Sequence, residues 1–209
     1  DYLNELGHRL VAAGNDSRQD FEFFASADSS INAFALPGGY IGVHMGLVLL
    51  AQSESELASV LANEITHVTQ RHLTRSAVGS QRSILYSLAA LAVAMLASRS
   101  NSSSAGDMAS AAIASAQALS IQSQLNYTRE HEYEADRIGF TRLTAAGFDP
   151  NAMATFMGRL QRSARYVEGT APSYLRTHPI TYERIAEAAS RAEGTPYRQV
   201  PDSLDFHMV

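Results

Sequence analysis

A long helical segment in the first half of the chain is the feature that most constrains its fold. Ser53 and Glu56 lie three residues apart, as in the capping box that begins many helices. Apolar residues then recur at helical spacing, at Leu57, Val60, Leu61, Ile65 and Val68. The spacing predicts a helix from Ser53 to about Arg75, with an apolar face that must pack against other elements.

Strand-like stretches precede this helix. Phe21–Ala27 is rich in aromatic residues, and two apolar runs, Asn32–Leu36 and Tyr40–His44, flank the turn residues Pro37-Gly38-Gly39. Two apolar runs around a glycine-containing turn are typical of a β-hairpin. We therefore expect a small antiparallel sheet here.

Helices predominate in the rest of the chain. Glycine and proline signals at their ends predict three of them, at Tyr127–Ala146, from Asp149 to about Tyr166, and from His178 to near Gly194. The tail from Thr195 to Val209 is predicted to be irregular. Because no internal repeat occurs, the pattern favours an α+β fold that is mainly α-helical and has one small sheet.

Two nearly uncharged stretches, Ile84–Ala97 and Met108–Leu119, are separated by the serine-rich segment Ser98–Gly106. The first stretch is shorter than the roughly 20 residues that a helix needs to span a bilayer. We expect an accessory apolar helical hairpin at about residues 83–123 that packs on the core. A surface that rests against a membrane or an apolar partner is the alternative.

Composition narrows the class of protein. The 209 residues carry a net charge of −5 with no long basic run, which argues against nucleic-acid binding. The chain has no cysteine, which excludes disulfides, thiolate metal sites and a thiol nucleophile, so any metal must be held by His, Asp or Glu. Asp1–Ala13 has helical spacing rather than the pattern of a leader, so we interpret the chain as a mature or trimmed domain.

The segment Leu61–His72, LANEITHVTQRH, carries the first candidate chemistry. Asn63 and His67 lie four residues apart on one face of the predicted helix, beside Glu64. This is the layout of H-E-x-x-H, in which two histidines bind zinc and the glutamate activates water. Taken alone, N-E-x-x-H is a weak signal, because Glu and His three residues apart are also common as a solvated pair on a helix.

A second cluster strengthens this signal. Glu132 and Asp136 lie four residues apart in the helical stretch Arg129–Gly139. A carboxylate from another helix can supply the third protein ligand that a zinc site needs, and a carboxylate one turn away can hold a ligating histidine through its other ring nitrogen. A simple charge pattern on a helix surface is the alternative.

Four stretches together resemble the M48-type, gluzincin family of zinc metallopeptidases, which includes the prenyl-protein (CAAX) endopeptidases. They are Asn32–Gly42 (NAFALPGGYIG), Leu57–His72 (LASVLANEITHVTQRH), Glu132–Gly139 (EYEADRIG) and Arg176–Ala186 (RTHPITYERIA). They occur in the family's order and cover the chain from about residue 20 to residue 190. Within the family, the sequence is most similar to the periplasmic beta-barrel assembly-enhancing subgroup.

The resemblance implies a role for each matching residue. Glu64 would be the general base, His67 and Glu132 would be ligands of one Zn²⁺ per chain, and Asp136 would be the partner of a ligand. An extended peptide would pair with an edge strand beside the active-site helix, at Asn32, Ala33, Phe34 and Ala35. Residues 1–209 would form a single gluzincin-type metalloprotease domain.

Asn63 is the departure from the family pattern, because family members carry histidine at this position. A neutral amide oxygen is a poorer zinc ligand than an imidazole nitrogen, so the resemblance implies an enzyme that is inactive or weakened. Either the chain is a natural pseudo-protease, or the residue was changed deliberately to silence an intact enzyme. The completeness of the rest of the motif favours the second hypothesis.

His178 is a possible fourth ligand. It precedes Pro179 at a predicted helix start, where an ordinary structural residue is the alternative, but the stretch around it resembles the family near its active site. There it could compete with the catalytic water and restrain activity. The other histidines are expected to be structural or solvated, namely His8, His44, His72, His131 and His207.

The sequence therefore predicts a zinc metalloendopeptidase that acts on unfolded or misassembled proteins. The subgroup resemblance implies outer-membrane barrel proteins as substrates, a periplasmic location and contact with the outer-membrane assembly machinery. We expect no nucleic-acid partner and no transmembrane span, with at most peripheral membrane contact. A non-catalytic module that binds the same clients is the main alternative, and a membrane-associated structural protein is a further one.

Overall fold

The computed structural model describes residues 1–14, 19–78, 105–166, 172–196 and 200–209, together with Leu88, Ala92 and Met95. The helices and strands of these residues are α1 Tyr2–Ala12, β1 Glu22–Ser26, β2 Ala33–Leu36, β3 Tyr40–His44, α2 Met45–Leu50, α3 Glu54–Thr69, α4 Ala105–Ala145, α5 Ala152–Tyr166, α6 Ser173–Thr177, α7 Tyr182–Glu193 and α8 Leu204–Met208. The predicted class, mainly helical with one small sheet, is confirmed.

The chain divides into two compact units. The first comprises Asp1–Arg71 and Glu132–Val209, and the second comprises His72–His131. In the first unit, α1, the sheet, α3 and α5 enclose a hydrophobic core whose fully buried side chains include Leu10, Ile41, Leu61 and Phe156. The single domain over residues 1–209 stays a prediction.

The sheet has the strand order β1-β3-β2. The predicted hairpin is confirmed, since β2 pairs antiparallel with β3, but β1 pairs parallel with β3, so the sheet is mixed rather than antiparallel. The difference arises because β3 inserts between β1 and β2 instead of extending a meander. Gly42 lies in the middle of β3, where a Cβ atom would come within 2.8 Å of the rings of Phe24 and Phe34.

The predicted start of α3 is confirmed, because the hydroxyl of Ser53 accepts a hydrogen bond from the backbone N–H of Glu56. The predicted end near Arg75 is wrong, since α3 ends at Thr69. Arg71 has a φ of 53°, in the left-handed region that an α-helix cannot contain. Helical backbone resumes after this residue, over residues 72–78.

The fourth helix, α4, is continuous from Ala105 to Ala145. The sequence predicts two separate stretches here, Met108–Leu119 and Tyr127–Ala146, and that prediction is wrong about the break. Residues 107–138 contain no glycine or proline that would end a helix. The predicted C-terminal signal is confirmed by Gly147, whose φ of 84° places it in the left-handed region.

The predicted accessory hairpin falls mostly on residues outside the described ones, since nearly all of Ile84–Ala97 lies there. In its second half, the described apolar side chains Ile113 and Ile121 are exposed. Among the helices of the described residues, none combines the length and the apolar character needed to cross a membrane.

The segments that follow α5 are more structured than predicted. The five-residue helix α6 was not predicted, and α8 occupies part of the tail that is predicted to be irregular. α7 begins at Tyr182 rather than directly at His178-Pro179, because the Thr181 hydroxyl accepts a hydrogen bond from the N–H of Arg184 and forms the N-cap.

Candidate metal centre

α3 carries three of the predicted site residues into the interior. Asn63 and Glu64 are 3% and 1% exposed, and the side chain of His67 is mostly buried. Their burial follows from the sequence of α3, whose apolar residues pack against α1, α5 and the sheet. Polar side chains at such positions need hydrogen-bond partners or a ligand.

A second group of polar side chains comes from α4. Glu132 and Asp136 lie one turn apart, and both are buried. Near the next turn, a Cβ atom on Gly139 would lie 3.2 Å from the carbonyl group of Ala62 and 3.3 Å from the amide nitrogen of Asn63. The missing side chain lets α4 approach α3 closely, which brings Asp136 to Asn63 and Glu132 to His67.

The structure brings His67, Glu132 and His178 together. Glu132 Oε1 lies 3.3 Å from His67 Nε2 and 3.0 Å from His178 Nδ1. His178 Nε2 lies 3.5 Å from Glu64 Oε1. One donor atom from each of His67, Glu132 and His178 lies within 4.8 Å of the others, so one cation between them could be reached by all three.

His178 is held in this position by the segment around α6. Its backbone N–H donates to the carbonyl oxygen of Tyr174 at 2.8 Å, and its ring stacks on the Tyr174 ring with centroids 4.5 Å apart. Its side chain is buried, and it packs edge-on against the ring of His67. An ordinary residue at a helix entrance does not account for this burial between carboxylates.

The charges at the cluster shift the pKa values of its members. Burial opposes ionisation of Glu132, but His178, His67 and Arg184 outweigh it and hold the pKa of Glu132 well below its usual range. Burial alone would lower the pKa of His178, but the carboxylates of Glu64 and Glu132 raise the pKa to about 9. In the metal-free protein, a cationic imidazole therefore lies between two carboxylates.

Arg184 on α7 is a site residue that sequence reasoning missed. Its Nε and Nη2 donate to the two oxygens of Asp136 at 2.6 and 2.7 Å, and its Nη1 lies 2.9 Å from Glu132 Oε2. Nη1 also donates to the carbonyl oxygen of Pro179 at 2.7 Å. The pair Glu132 and Asp136 could have indicated such a residue, because two buried carboxylates on one helix face require a buried cation.

Asn63 is fixed by Asp136. Its Nδ2 donates to Asp136 Oδ1 at 3.0 Å. The predicted role of Asp136 as the partner of a metal ligand stays a prediction. The opposite end of the amide, Oδ1, is buried and has no hydrogen-bond partner among the described residues. A small cavity of about 20 Å³ adjoins Asn63, next to Met153 and Leu160.

These donors fit a divalent metal ion. Two imidazoles and a carboxylate form a ligand set found in catalytic zinc sites. Glu132 meets the requirement that a ligating carboxylate be ionised, because its pKa is held low.

The predicted peptide-binding strand lies at an edge of the sheet. Asn32 precedes β2, Ala33 is fully buried, and Phe34 and Ala35 are partly buried. Just before β2, the carbonyl oxygen of Ile31 accepts a hydrogen bond from the backbone N–H of Tyr174 at 3.2 Å. Tyr174 in turn stacks on His178, so the start of the edge strand is tied to the cluster.

The remaining histidines have neighbours of their own. His72 and His131, in the second unit, stack on each other with ring centroids 4.2 Å apart. His44 lies 2.8 Å from the Ser30 hydroxyl through its Nδ1, and the ring of His8 packs edge-on against that of Phe23. These positions agree with the structural roles expected for them.

Comparison with known proteins identifies the protein family of this chain. Residues 1–192 match the model of peptidase family M48, and the chain belongs to that family. It is 48% identical over its whole length to the Vibrio cholerae protein named "Putative beta-barrel assembly-enhancing protease", and 41% identical to the beta-barrel assembly-enhancing protease of Escherichia coli.

The chain is also similar to a mitochondrial protein. The chain is 32% identical to the mitochondrial metalloendopeptidase OMA1 of Schizosaccharomyces pombe over 184 residues, which are 88% of this chain and 50% of the relative. The chain spans 42% of the length of the two bacterial relatives. The family assignment rests on the match of residues 1–192 to the model of peptidase family M48.

Proposed function

We propose that the chain is the catalytic domain of a zinc metalloendopeptidase that acts on unfolded or misassembled proteins. The observation that carries the proposal is the convergence of His67, Glu132 and His178 within 4.8 Å, beside Glu64, in a member of family M48. The site combines metal donors with a buried carboxylate that has no structural ion pair to a lysine or arginine among the described residues.

Each residue has a defined part in this proposal. His67, Glu132 and His178 would hold Zn²⁺, which supplies Lewis-acid activation of water and of a peptide carbonyl. Glu64 accepts a proton from the attacking water at its carboxylate and returns it to the nitrogen of the leaving amine. Asp136 and Arg184 hold the site together, since Arg184 binds both Asp136 and Glu132.

Asn63 would weaken metal binding in this chain. The position lies four residues before His67 on α3, where the family resemblance places a histidine. Loss of that imidazole should lower zinc affinity by more than the roughly 10- to 100-fold that follows from mutating a residue that only orients a ligand. The expected state of this chain is therefore an impaired enzyme, and His178, which faces Glu64, would restrain it further by competing for the place of the water.

The substrate would be an extended polypeptide. β2 is an edge strand whose backbone can pair with a peptide, and the chain just before it is tied to the segment that carries His178. The names of the bacterial relatives refer to beta-barrel assembly. They support outer-membrane barrel proteins as substrates, a periplasmic location and contact with the assembly machinery.

Asn63 also supports a second candidate function, a non-catalytic module that binds clients. With the first-ligand imidazole replaced by an amide, the same fold could hold extended chains at β2 without cleaving them. The second function has the same class of substrate as the first but includes no cleavage. It predicts that restoring a histidine at this position yields neither stoichiometric zinc nor cleavage.

Zinc content and cleavage distinguish the two functions. We expect the Asn63→His variant to bind one zinc per chain and to cleave an unfolded protein such as casein. The matched control, Asn63→His with Glu64→Gln, should keep the zinc and cleave at least about 100-fold more slowly, since general-base catalysis contributes about 10²–10⁴. An Asn63→His variant without zinc and without cleavage would contradict the enzyme proposal.

A further inference from the structure

We propose that the side-chain oxygen of Asn63 is itself a metal ligand in this chain. The ligands are then the imidazoles of His67 and His178, the carboxylate of Glu132 and the amide oxygen of Asn63. In the family pattern, an imidazole takes the place of the amide oxygen. Such a site discriminates less strongly between Zn²⁺ and harder divalent ions such as Mn²⁺. The inference rests on the proposed function and concerns which metal this chain holds.

The orientation of the Asn63 amide is fixed by its partner. Nδ2 donates to Asp136 Oδ1 at 3.0 Å, and Arg184 donates to both oxygens of Asp136, so the carboxylate acts as the acceptor. An amide has its donor and its acceptor on one planar carbon, pointing apart. Anchoring Nδ2 on Asp136 therefore turns Oδ1 away from that carboxylate.

The oxygen that is turned away lies in the protein interior. Oδ1 of Asn63 is buried and lacks a hydrogen-bond partner among the residues that the structure describes. Buried carbonyl groups are rarely left in this state, because losing water without a replacement is unfavourable. A cation bound beside Asn63 would supply the partner that this oxygen lacks.

The helices place Asn63 beside that cluster. Asn63 and His67 lie four residues apart on α3, and Asp136 and Glu132 lie four residues apart on α4, so each pair shares a helix face. Asn63 Nδ2 donates to Asp136 Oδ1 at 3.0 Å and His67 Nε2 lies 3.3 Å from Glu132 Oε1, so the two pairs lie side by side. A carboxylate that orients a ligand through the ligand's second polar atom is the usual arrangement around protein-bound metals.

The chemistry of the donor sets the metal preference. Imidazole nitrogen suits zinc, whereas carboxylate and carbonyl oxygen suit Mg²⁺, Ca²⁺ and Mn²⁺. Replacing one imidazole by an amide oxygen lowers the affinity for Zn²⁺ more than the affinity for Mn²⁺. The wild-type chain should therefore have a smaller ratio of Zn²⁺ to Mn²⁺ affinity than the Asn63→His variant.

Titration calorimetry with Zn²⁺ and Mn²⁺ tests the inference on three proteins. Asn63→Leu removes the oxygen at nearly constant volume and should weaken binding of both ions by at least about 10-fold. Asn63→His should increase the ratio of Zn²⁺ to Mn²⁺ affinity by at least about 10-fold. Asn126→Leu, at an exposed position of α4, is the control and should match the wild type.

The outcomes separate this inference from the proposed function. If the chain with Asn63 binds neither ion, the amide ligand is overturned, whereas the proposed function is overturned only if Asn63→His also lacks zinc and cleavage. A wild-type chain that binds metal with the same affinities as Asn63→Leu overturns the amide ligand and leaves the other ligands in place. A crystal structure of the Mn²⁺ complex checks the result even if Asn63→Leu fails to fold: Oδ1 within about 2.5 Å of the ion supports the inference, and any longer distance overturns it.

Discussion

Arg184 carries the positive charge that holds the two buried acidic residues of α4 together. The Arg184→Met substitution keeps the aliphatic volume of the side chain and removes its charge. Two hydrogen bonds to Asp136, the ion pair with Glu132 and the hydrogen bond to the carbonyl oxygen of Pro179 are lost together. All of these groups except the Pro179 carbonyl belong to side chains that are less than 10% exposed.

The expected cost follows from this burial. Removing one partner of a buried ion pair costs about 3–5 kcal/mol, because the remaining charge stays buried without compensation. Here Asp136 loses the guanidinium that binds both of its oxygens, whereas Glu132 keeps its contact with His178, so a cost of about 4 kcal/mol applies. For a protein of this size, each kcal/mol lowers Tm by about 2–4 °C, which gives a fall in Tm of at least about 8 °C for the metal-free protein.

Thermal unfolding followed by circular dichroism, with chelator present, measures this effect. The matched control is Arg191→Met on the same helix, because Arg191 pairs with Glu187 near the surface and both side chains are about a third exposed or more. Such a pair contributes about 0–1 kcal/mol, so Tm should change by less than about 4 °C. If Arg184→Met and Arg191→Met lower Tm equally, the buried carboxylates do not depend on Arg184.

Two further predictions concern other parts of the first unit. Gly139→Ala should lower the free energy of unfolding by about 1–3 kcal/mol, because its Cβ would press on the backbone of α3. The control is Gly158→Ala on α5, where the Cβ meets only an arginine tip, and it should be neutral or stabilising by up to about 1 kcal/mol. Equal losses of stability in urea unfolding would refute the close approach of α4 to α3. The backbone N–H of Ser30 binds Asp28 and lowers the pKa of its carboxyl. The stabilisation by Asp28 should therefore be present above its ordinary pKa and be lost as the pH falls through the lowered value, and an NMR titration that finds an ordinary pKa would contradict this.

Sequence patterns determine the local parts of this fold well. The capping box at Ser53 and the hairpin turn at Gly38-Gly39 depend on residues close together in the chain. The end of α3 was missed because Arg71 is an ordinary residue in a left-handed conformation, and such conformations are usually recognised by glycine. The parallel pairing of β1 was missed because strand order depends on contacts distant in sequence.

In the candidate site too, the local arrangement follows from the sequence pattern, whereas the contacts between distant segments do not. Helical spacing alone predicts that Asn63 and His67 share one face and that Glu132 and Asp136 share another. The meeting of these faces depends on packing, since Gly139 lets α4 approach α3. Arg184 was missed because spacing within one helix does not reveal which cation will lie against its buried carboxylates.

The central claim is that His67, Glu132 and His178 bind one divalent metal ion beside Glu64. The most direct measurement is anomalous diffraction at the zinc edge from crystals of the wild-type chain grown with Zn²⁺. The account predicts one anomalous peak, with donor atoms of all three residues about 2.0–2.2 Å from it. Crystals that contain zinc elsewhere but none between these three residues would contradict the account.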